Sequence, residues 1–242
     1  MKKISKKKKL LILIPARGGS TGIKDKNIIK LNKRPLIYYS YLASNFIKEK
    51  NKIVTCSSDS KKIINICEKF GLKDNIHRPK KYSLKYSLDL MFVNHALKHF
   101  SQKQIFFKYG LILRPTSPIR CSKTLNEAYQ KFSKSNYSSM RAIVESPITP
   151  YKIWKKKGFK LIPLLKHPKK ESFNMPRQKL PLTFWQTGNF EFFKVNFKNK
   201  LTSISGEKIM GYEINKEQSI DIDGVDDLLN INKKLHKYFN KS

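Results

Sequence analysis

The chain has 242 residues, 39% of them hydrophobic and 12% aromatic, with 51 Lys and Arg against 17 Asp and Glu for a formal charge of +34. That length supports one large α/β domain or a core with a small appendage, and no stretch reaches the roughly 18 to 20 apolar residues of a membrane helix, so no membrane partner is expected. Arginine occurs only at Arg17, Arg34, Arg78, Arg114, Arg120, Arg141 and Arg177; base-reading proteins rely on its fork, so the scattered lysines read as a solvated surface, no nucleic-acid partner is expected, and the few arginines carry the information.

Met1 to Lys9 followed by Leu10 to Ile14 imitates the start of a secretory signal, but Pro15-Ala16-Arg17 offers no small-x-small cleavage site, so a buried first strand of a mostly parallel sheet is predicted there. A glycine loop follows. Leu36, Tyr39, Leu42, Ala43 and Phe46 recur at helical spacing, and Ile53 to Ser57 reads as a second strand. Ser60 is placed to cap a helix with Ile63, Ile64, Cys67 and Phe70 on one face and Gly71 as its stop. Leu88 to Phe100 forms an amphipathic helix, Leu111 to Leu113 a third strand, and Ser122 opens a helix through Leu125, Ala128, Tyr129 and Phe132. From Ser146 to Pro181 the alternation fails, interrupted by Pro147, Pro150, Pro163, Pro168 and Pro176 around a hairpin with Lys157-Gly158 at its tip. This is an inserted lobe, and Tyr151, Trp154 and Phe159 suit it to a subunit contact or a lid. The pattern resumes with a strand at Ile220 to Asp223 and a final helix carrying Val225, Leu228, Leu229, Leu235 and Phe239. Strands alternating with helices define a layered α/β sheet. Cys56, Cys67 and Cys121 form no CxxC pair, which suits a reducing cytoplasm.

The run Arg17-Gly18-Gly19-Ser20-Thr21-Gly22 supplies backbone amides able to turn toward an anion, since glycine permits positive φ and close approach. It fits neither the dinucleotide fingerprint nor a Walker loop. With Arg17 before it and Lys24 and Lys26 after it, the loop carries enough positive charge for a nucleoside triphosphate. Asp221 and Asp223 flank Ile222; on a strand both carboxylates share one side, about 6 to 7 Å apart, and can bracket Mg²⁺. Alternatively Asp223-Gly224 is a turn and helix cap. Ser57, Ser58 and Asp59 stand either at a ligand-binding sheet edge or as a helix cap. His95 and His99 have the spacing of a zinc pair but lack a following Glu or third ligand, which favours a non-metal role.

Five ordered segments, IPARGGSTGIKDKNI, SSD at 57–59, RPTSPIR at 114–120, PRQKLP at 176–181 and SIDIDGVDDL at 219–228, resemble the acylneuraminate cytidylyltransferases (CMP-sialic acid synthetases), with CMP-Kdo synthetases as more distant relatives. The resemblance runs nearly end to end. It implies a Rossmann-like three-layer nucleotide-diphospho-sugar transferase fold over residues 1–242, with a dimerisation and acceptor lobe at about 145–185. It also implies transfer of CMP from CTP to the anomeric hydroxyl of a nonulosonic 2-keto sugar acid, with release of pyrophosphate, in a cytoplasmic Mg²⁺-dependent homodimer. By the same resemblance Arg17, Gly18, Gly19, Ser20, Gly22, Lys26, Asn27 and Ser87 bind the nucleotide, Arg78 reads cytosine, and Asp221 and Asp223 hold the metal. Arg17, Lys26 and the two aspartates would carry the chemistry, because cations and a metal offset charge on the leaving pyrophosphate. Lys152 and Arg177 match positions that bind the acceptor's carboxylate, and Arg114, Thr116, Ser117, Gln178, Gln186 and Glu191 fall in the acceptor region.

The sequence departs from the family pattern at four places. Thr21 replaces a common Lys, Lys85 a common Asp, Arg114 a sugar-contacting Gln, and Glu191 an aromatic residue. Charged groups in an acceptor pocket change which substituents it accepts, since an unmatched buried polar group costs about 1 to 3 kcal/mol. The competing readings are a same-fold nucleotidyltransferase using another sugar or nucleotide, a polyanion-binding protein without catalysis, and a catalytically dead relative serving as an assembly partner.

Overall fold

The computed structural model describes residues 6–20, 22–166, 171–196 and 199–231. Thr21, Pro168, Leu235 and Phe239, singled out above, lie outside them. The strands are β1 (Lys6–Pro15), β2 (Lys30–Leu31), β3 (Arg34–Pro35), β4 (Lys52–Ser58), β5 (Ile76–His77), β6 (Ile105–Ile112), β7 (Ser139–Glu145), β8 (Trp154–Lys157), β9 (Lys160–Pro163), β10 (Phe184–Lys194) and β11 (Ile209–Glu213). The main helices are α1 (Leu36–Phe46), α2 (Lys61–Lys69), α3 (Asp89–Gln102) and α4 (Ser122–Ser133), and residues 225–231 are also helical.

Seven strands form one sheet in the order β11-β7-β10-β6-β1-β4-β5. β1 runs parallel to both β4 and β6, β4 to β5 and β7 to β11, while β10 is antiparallel between β6 and β7. The apolar run 10–14 is buried on both faces because strand periodicity sends alternate side chains to opposite layers. Leu10, Ile12 and Ile14 pack with Ile37 and Ala43 of α1, Ile63 and Cys67 of α2, and Leu125, Ala128 and Phe132 of α4. Leu11 and Leu13 pack instead with Phe92, Val93, Ala96, Leu97 and Phe100 of α3. The result is three layers. Each aliphatic side chain so buried contributes about 1.5 to 3 kcal/mol, which makes β1 a rigid base for the loop that follows it.

The local signals read from sequence act as expected at several points. Ser60 Oγ accepts from the Ile63 N–H at 3.4 Å, and Gly71, at φ +93°, ends the α2 region. β8 and β9 form the hairpin of the lobe, with Gly158 at φ +58° in its turn. Six strands, the short β2, β3 and β5 and the longer β7, β10 and β11, have no counterpart in the sequence reading.

Residues 220–223 correct it: they are not a strand, and Ile222 donates one backbone bond, to Thr116 O at 2.9 Å. Their apolar alternation has another cause. Ile222 is fully buried in a small cluster with Ile23, Leu31, Leu36, Tyr39, Ile119 and Ile231, to which Ile220 also packs. This cluster carries the segment across the carboxyl end of the sheet, beside the glycine loop.

Candidate active site

From β1 the chain crosses to β4 on one side, and β6 lies on the other, so a crevice opens beyond the carboxyl end of β1. The glycine loop fills its rim. Asp59, just past β4, accepts from the Gly18 N–H at 2.9 Å, and Asn27, which is buried, donates to Arg17 O at 2.9 Å. These two bonds close the loop on itself. Gly18 and Gly19 do not have positive φ, so of the two expected reasons for the glycines it is close approach that the structure shows, at Gly18 and Gly22. A Cβ on Gly18 would meet Ser60 Cβ at 3.0 Å, and one on Gly22 would lie 2.7 Å from the backbone oxygen of Asp223. Gly22 therefore lets the 221–223 segment touch the loop. Lys26 Nζ completes the junction, donating to Ile222 O at 2.8 Å and to Asp223 Oδ1 at 3.3 Å.

A cleft of about 520 Å³ opens here, lined by Arg17, Ser20, Gly22, Lys26, Asn27, Arg78, Lys85, Ser87, Arg114, Thr116 and Asp223, among others. Gly18, Gly19 and Ser117 support its wall rather than line it. Arg78 enters from the end of β5, where its N–H donates to Ser58 O at 2.7 Å. Its side chain is buried, its guanidinium sits 5.3 Å from the centre of the Phe92 ring, and burial lowers its pKa against the opposing pull of Asp59. Arg78 Nε is buried with no hydrogen-bond partner among the described residues. An unmatched buried donor costs about 1 to 3 kcal/mol, so its presence at a cleft marks a place prepared for a bound acceptor group. Ser87 Oγ is already engaged, accepting from Leu84 N–H and donating to Lys81 O, and shapes the 81–87 wall.

The two aspartates are placed differently. Asp223 lines the cleft with its side chain 85% exposed. Its backbone is fixed by Asp227, whose carboxylate accepts from the N–H groups of Asp223 and Gly224 at 2.9 and 2.8 Å. Those bonds, Gly224 foremost, hold the Asp227 carboxyl below the usual carboxylate range. Asp221 lies behind, accepting from Ser117 Oγ at 3.3 Å, and a Cβ on Gly188 would come within 3.1 Å of its Oδ2. The expected pair on one strand face is thus replaced by a kinked segment. Among the described residues no cluster of three His, Cys, Asp or Glu side chains forms a protein-only metal site.

Arg114, Glu191 and Gln186 reach a second hollow of about 590 Å³ that shares Ser87, Asp89 and Arg114 with the cleft. Glu191 does not stand free in it: one carboxylate oxygen accepts from Arg114 and the other from Arg141. Stripping one partner from such a buried pair costs about 3 to 5 kcal/mol. Lys152, Arg177 and Gln178 are exposed residues that line neither space in this chain. Arg177 is occupied at the end of β7, donating to Glu145 Oε1 and Ser146 O at 2.6 Å each. Sequence reasoning missed Asp89, Arg141 and Arg120. Arg120, fully buried, braces the crevice by donating to Asn189 O at 2.7 Å and Arg114 O at 2.8 Å; its place in RPTSPIR was its one available signal. Among the described residues His95 and His99 belong to no cluster of three metal-ligating side chains; the His95 ring lies tilted against Tyr82, ring centres 5.5 Å apart, and burial lowers its pKa.

Fold and crevice together define a Rossmann-like α/β architecture with an open cleft at the carboxyl end of β1. The structure is similar to that of CMP:2-keto-3-deoxy-manno-octonic acid synthetase complexed with CTP, with a TM-score of 0.68 over 95% of this chain and 99% of that one, at 12% identity. The cytidylyltransferase family model matches residues 11–151, and the chain belongs to that family. It is 34% identical over 140 residues to the pseudaminic acid cytidylyltransferase of Campylobacter jejuni, a match covering 57% of this chain and 59% of the relative. It is 25% identical over 228 residues to the N-acylneuraminate cytidylyltransferase of Streptococcus agalactiae, covering 92% of this chain and 52% of the relative. The chain spans little more than half the length of these curated relatives.

Proposed function

We propose that the protein transfers CMP from CTP to the anomeric hydroxyl of a nonulosonic 2-keto sugar acid, releasing pyrophosphate. The observation that carries this reading is the convergence, in one cleft at the carboxyl end of β1, of the amide-rich loop, Arg17, Lys26, the unpartnered Nε of buried Arg78, and Asp223. In this reading the loop amides, Arg17 and Lys26 bind the triphosphate, Asn27 keeps the loop closed, and Arg78 reads the cytosine. The similarity to two nonulosonic acid cytidylyltransferases supports the acceptor class.

One carboxylate in the cleft, Asp223, with Asp221 behind it on the same segment, suits Mg²⁺, which keeps waters and takes substrate phosphates beside one or two protein oxygens. Asp221 and Asp223 would hold it, and it would supply charge compensation to the departing pyrophosphate. Lys26 acts on the same charge with little reorganisation, because its Nζ is already held by Ile222 O and Asp223 Oδ1, and Arg17 adds a second cation to the cleft lining. The cleft needs no covalent nucleophile: the acceptor hydroxyl attacks the α-phosphate directly, and an aspartate accepts its proton. Lys152 and Arg177 do not reach the cleft of their own chain, which supports a homodimer in which the lobe of a second copy delivers them to the acid's carboxylate. We place this single-domain enzyme in the cytoplasm.

The test is pyrophosphate release from each nucleoside triphosphate with a panel of 2-keto sugar acids and Mg²⁺. Release with CTP and at least one nonulosonic acid is expected; none with CTP and any of them overturns the reading.

A further inference from the structure

Four charges on neighbouring elements form a continuous chain beneath the wall between the cleft and the second hollow. Asp89 stands in the first turn of α3, Arg114 two residues past β6, Glu191 on β10 and Arg141 on β7. Glu191 is in register with Arg141 on one side and with Ile112 on the other, so the antiparallel insertion of β10 sets the carboxylate between the two arginines. Glu191 and Arg141 are 3% and 7% exposed, whereas the Arg114 side chain keeps 25% of its surface open. The buried pair thus acts on Arg114, which together with the 40% exposed Asp89 is open to a bound molecule.

The bonding is specific in its atoms. Arg114 uses Nη2 for both carboxylates, donating to Glu191 Oε1 and, at 2.6 Å, to Asp89 Oδ2. Among the described residues its Nε and Nη1 have no protein partner. Burial disfavours its charge, but Glu191 and then Asp89 more than offset this and raise its pKa above the ordinary value. Arg141 closes the far side, giving Nη1 to Glu191 Oε2 and Nη2 to Ser205 Oγ at 2.8 Å. Asp89, Arg114, Glu191 and Arg141 sum to zero charge, so Arg114 offers a fixed edge of donors with its charge balanced from behind. Such an edge favours hydroxyl and amide oxygens, whereas an unneutralised arginine favours anions. Buried ion networks are poor sources of stability compared with apolar packing, which leaves orientation as their use here.

We propose that Glu191, clamped by Arg141, is a positioning residue that aims and neutralises Arg114, so that the second hollow selects acids by their neutral polar substituents. This rests on the acceptor reading above and adds to it which residues set the selectivity.

The test is steady-state kinetics with CTP and a panel of nonulosonic acids differing in hydroxyl and N-acyl substituents. Glu191→Gln leaves two arginines short of a counter-charge, so the double variant Glu191→Gln with Arg141→Gln, which strands no charge, is measured beside it as the variant that folds. In both, KM for the acids rises about 10-fold and their ranking changes, as expected for a site whose hydrogen-bonding edge is misaimed, while KM for CTP stays within about 2-fold. Arg141→Lys, which keeps the charge behind Glu191, retains the wild-type ranking. An unchanged acid KM and ranking in the folded double variant, or a CTP KM that rises in step with the acid KM, overturns the positioning role and leaves the proposed activity standing. Absence of turnover by the wild type with CTP and every acid overturns both.

Discussion

At the cleft, the main polar groups of the loop are held by a neighbour: Gly18 N–H by Asp59, Arg17 O by Asn27, and Ile222 O by Lys26. In the lobe between β7 and β10 the opposite holds, and Phe159, Leu161 and Leu182 stand 105%, 53% and 66% exposed. One region has its loop held by contacts within the chain, and the other presents apolar surface that no described residue covers. The difference separates two tasks. On the reading proposed above, strand ends braced by a packed sheet supply the nucleotide site within one chain, while the lobe would supply a surface and two basic residues, Lys152 and Arg177, to a second copy. A Phe or Leu moved from water into an interface gains about 1.5 to 3 kcal/mol, so in the proposed homodimer such residues would offset part of the cost of association.

The comparison is broken most severely by Gly22→Val. The new side chain would begin 2.7 Å from Asp223 O, and since that neighbour is backbone, the 221–223 segment must move away from the loop. Turnover is expected to fall at least about 100-fold, as misplacement by about 1 Å does in general, with the melting temperature changing by a few degrees; turnover within a few-fold of wild type would show that the contact between loop and segment is dispensable. The comparison is sharpened by Phe159→Asp with Leu161→Asp. Self-association measured by sedimentation is expected to weaken about 10- to 100-fold, while CTP binding by calorimetry stays unchanged. A loss of CTP affinity in that variant would show that the lobe and cleft are one unit.

Much of the framework was legible because it rests on local chemistry. The run Leu10 to Ile14, the cap at Ser60, the stop at Gly71 and the Gly158 hairpin each carry a signal within a few residues. β7 and β10 hide for the reverse reason. Their interiors contain Arg141 and Glu191, whose burial is permitted by each other and by Arg114 across strands, and β10 also shifts register between Gln186 and Glu191 around Gly188. A pairing that distant leaves no periodicity in either segment alone. Residues 220–223 misled in the other direction, because burial of Ile220 and Ile222 in a side cluster produces the same alternation as a strand. For the site, the loop, Arg78 and Asp223 were named from sequence, while Asp89, which meets Arg114 from another element, could be found only once α3 was seen beside β6.

The central claim is that the loop and the 221–223 segment form one triphosphate and metal site. Calorimetric titration of CTP with and without Mg²⁺, in the wild type and in Asp223→Asn, tests it most directly. The account predicts that Mg²⁺ strengthens CTP binding about 10-fold or more in the wild type, that Asp223→Asn removes most of this gain, and that binding without Mg²⁺ is little altered. An equal gain from Mg²⁺ in both proteins would contradict it.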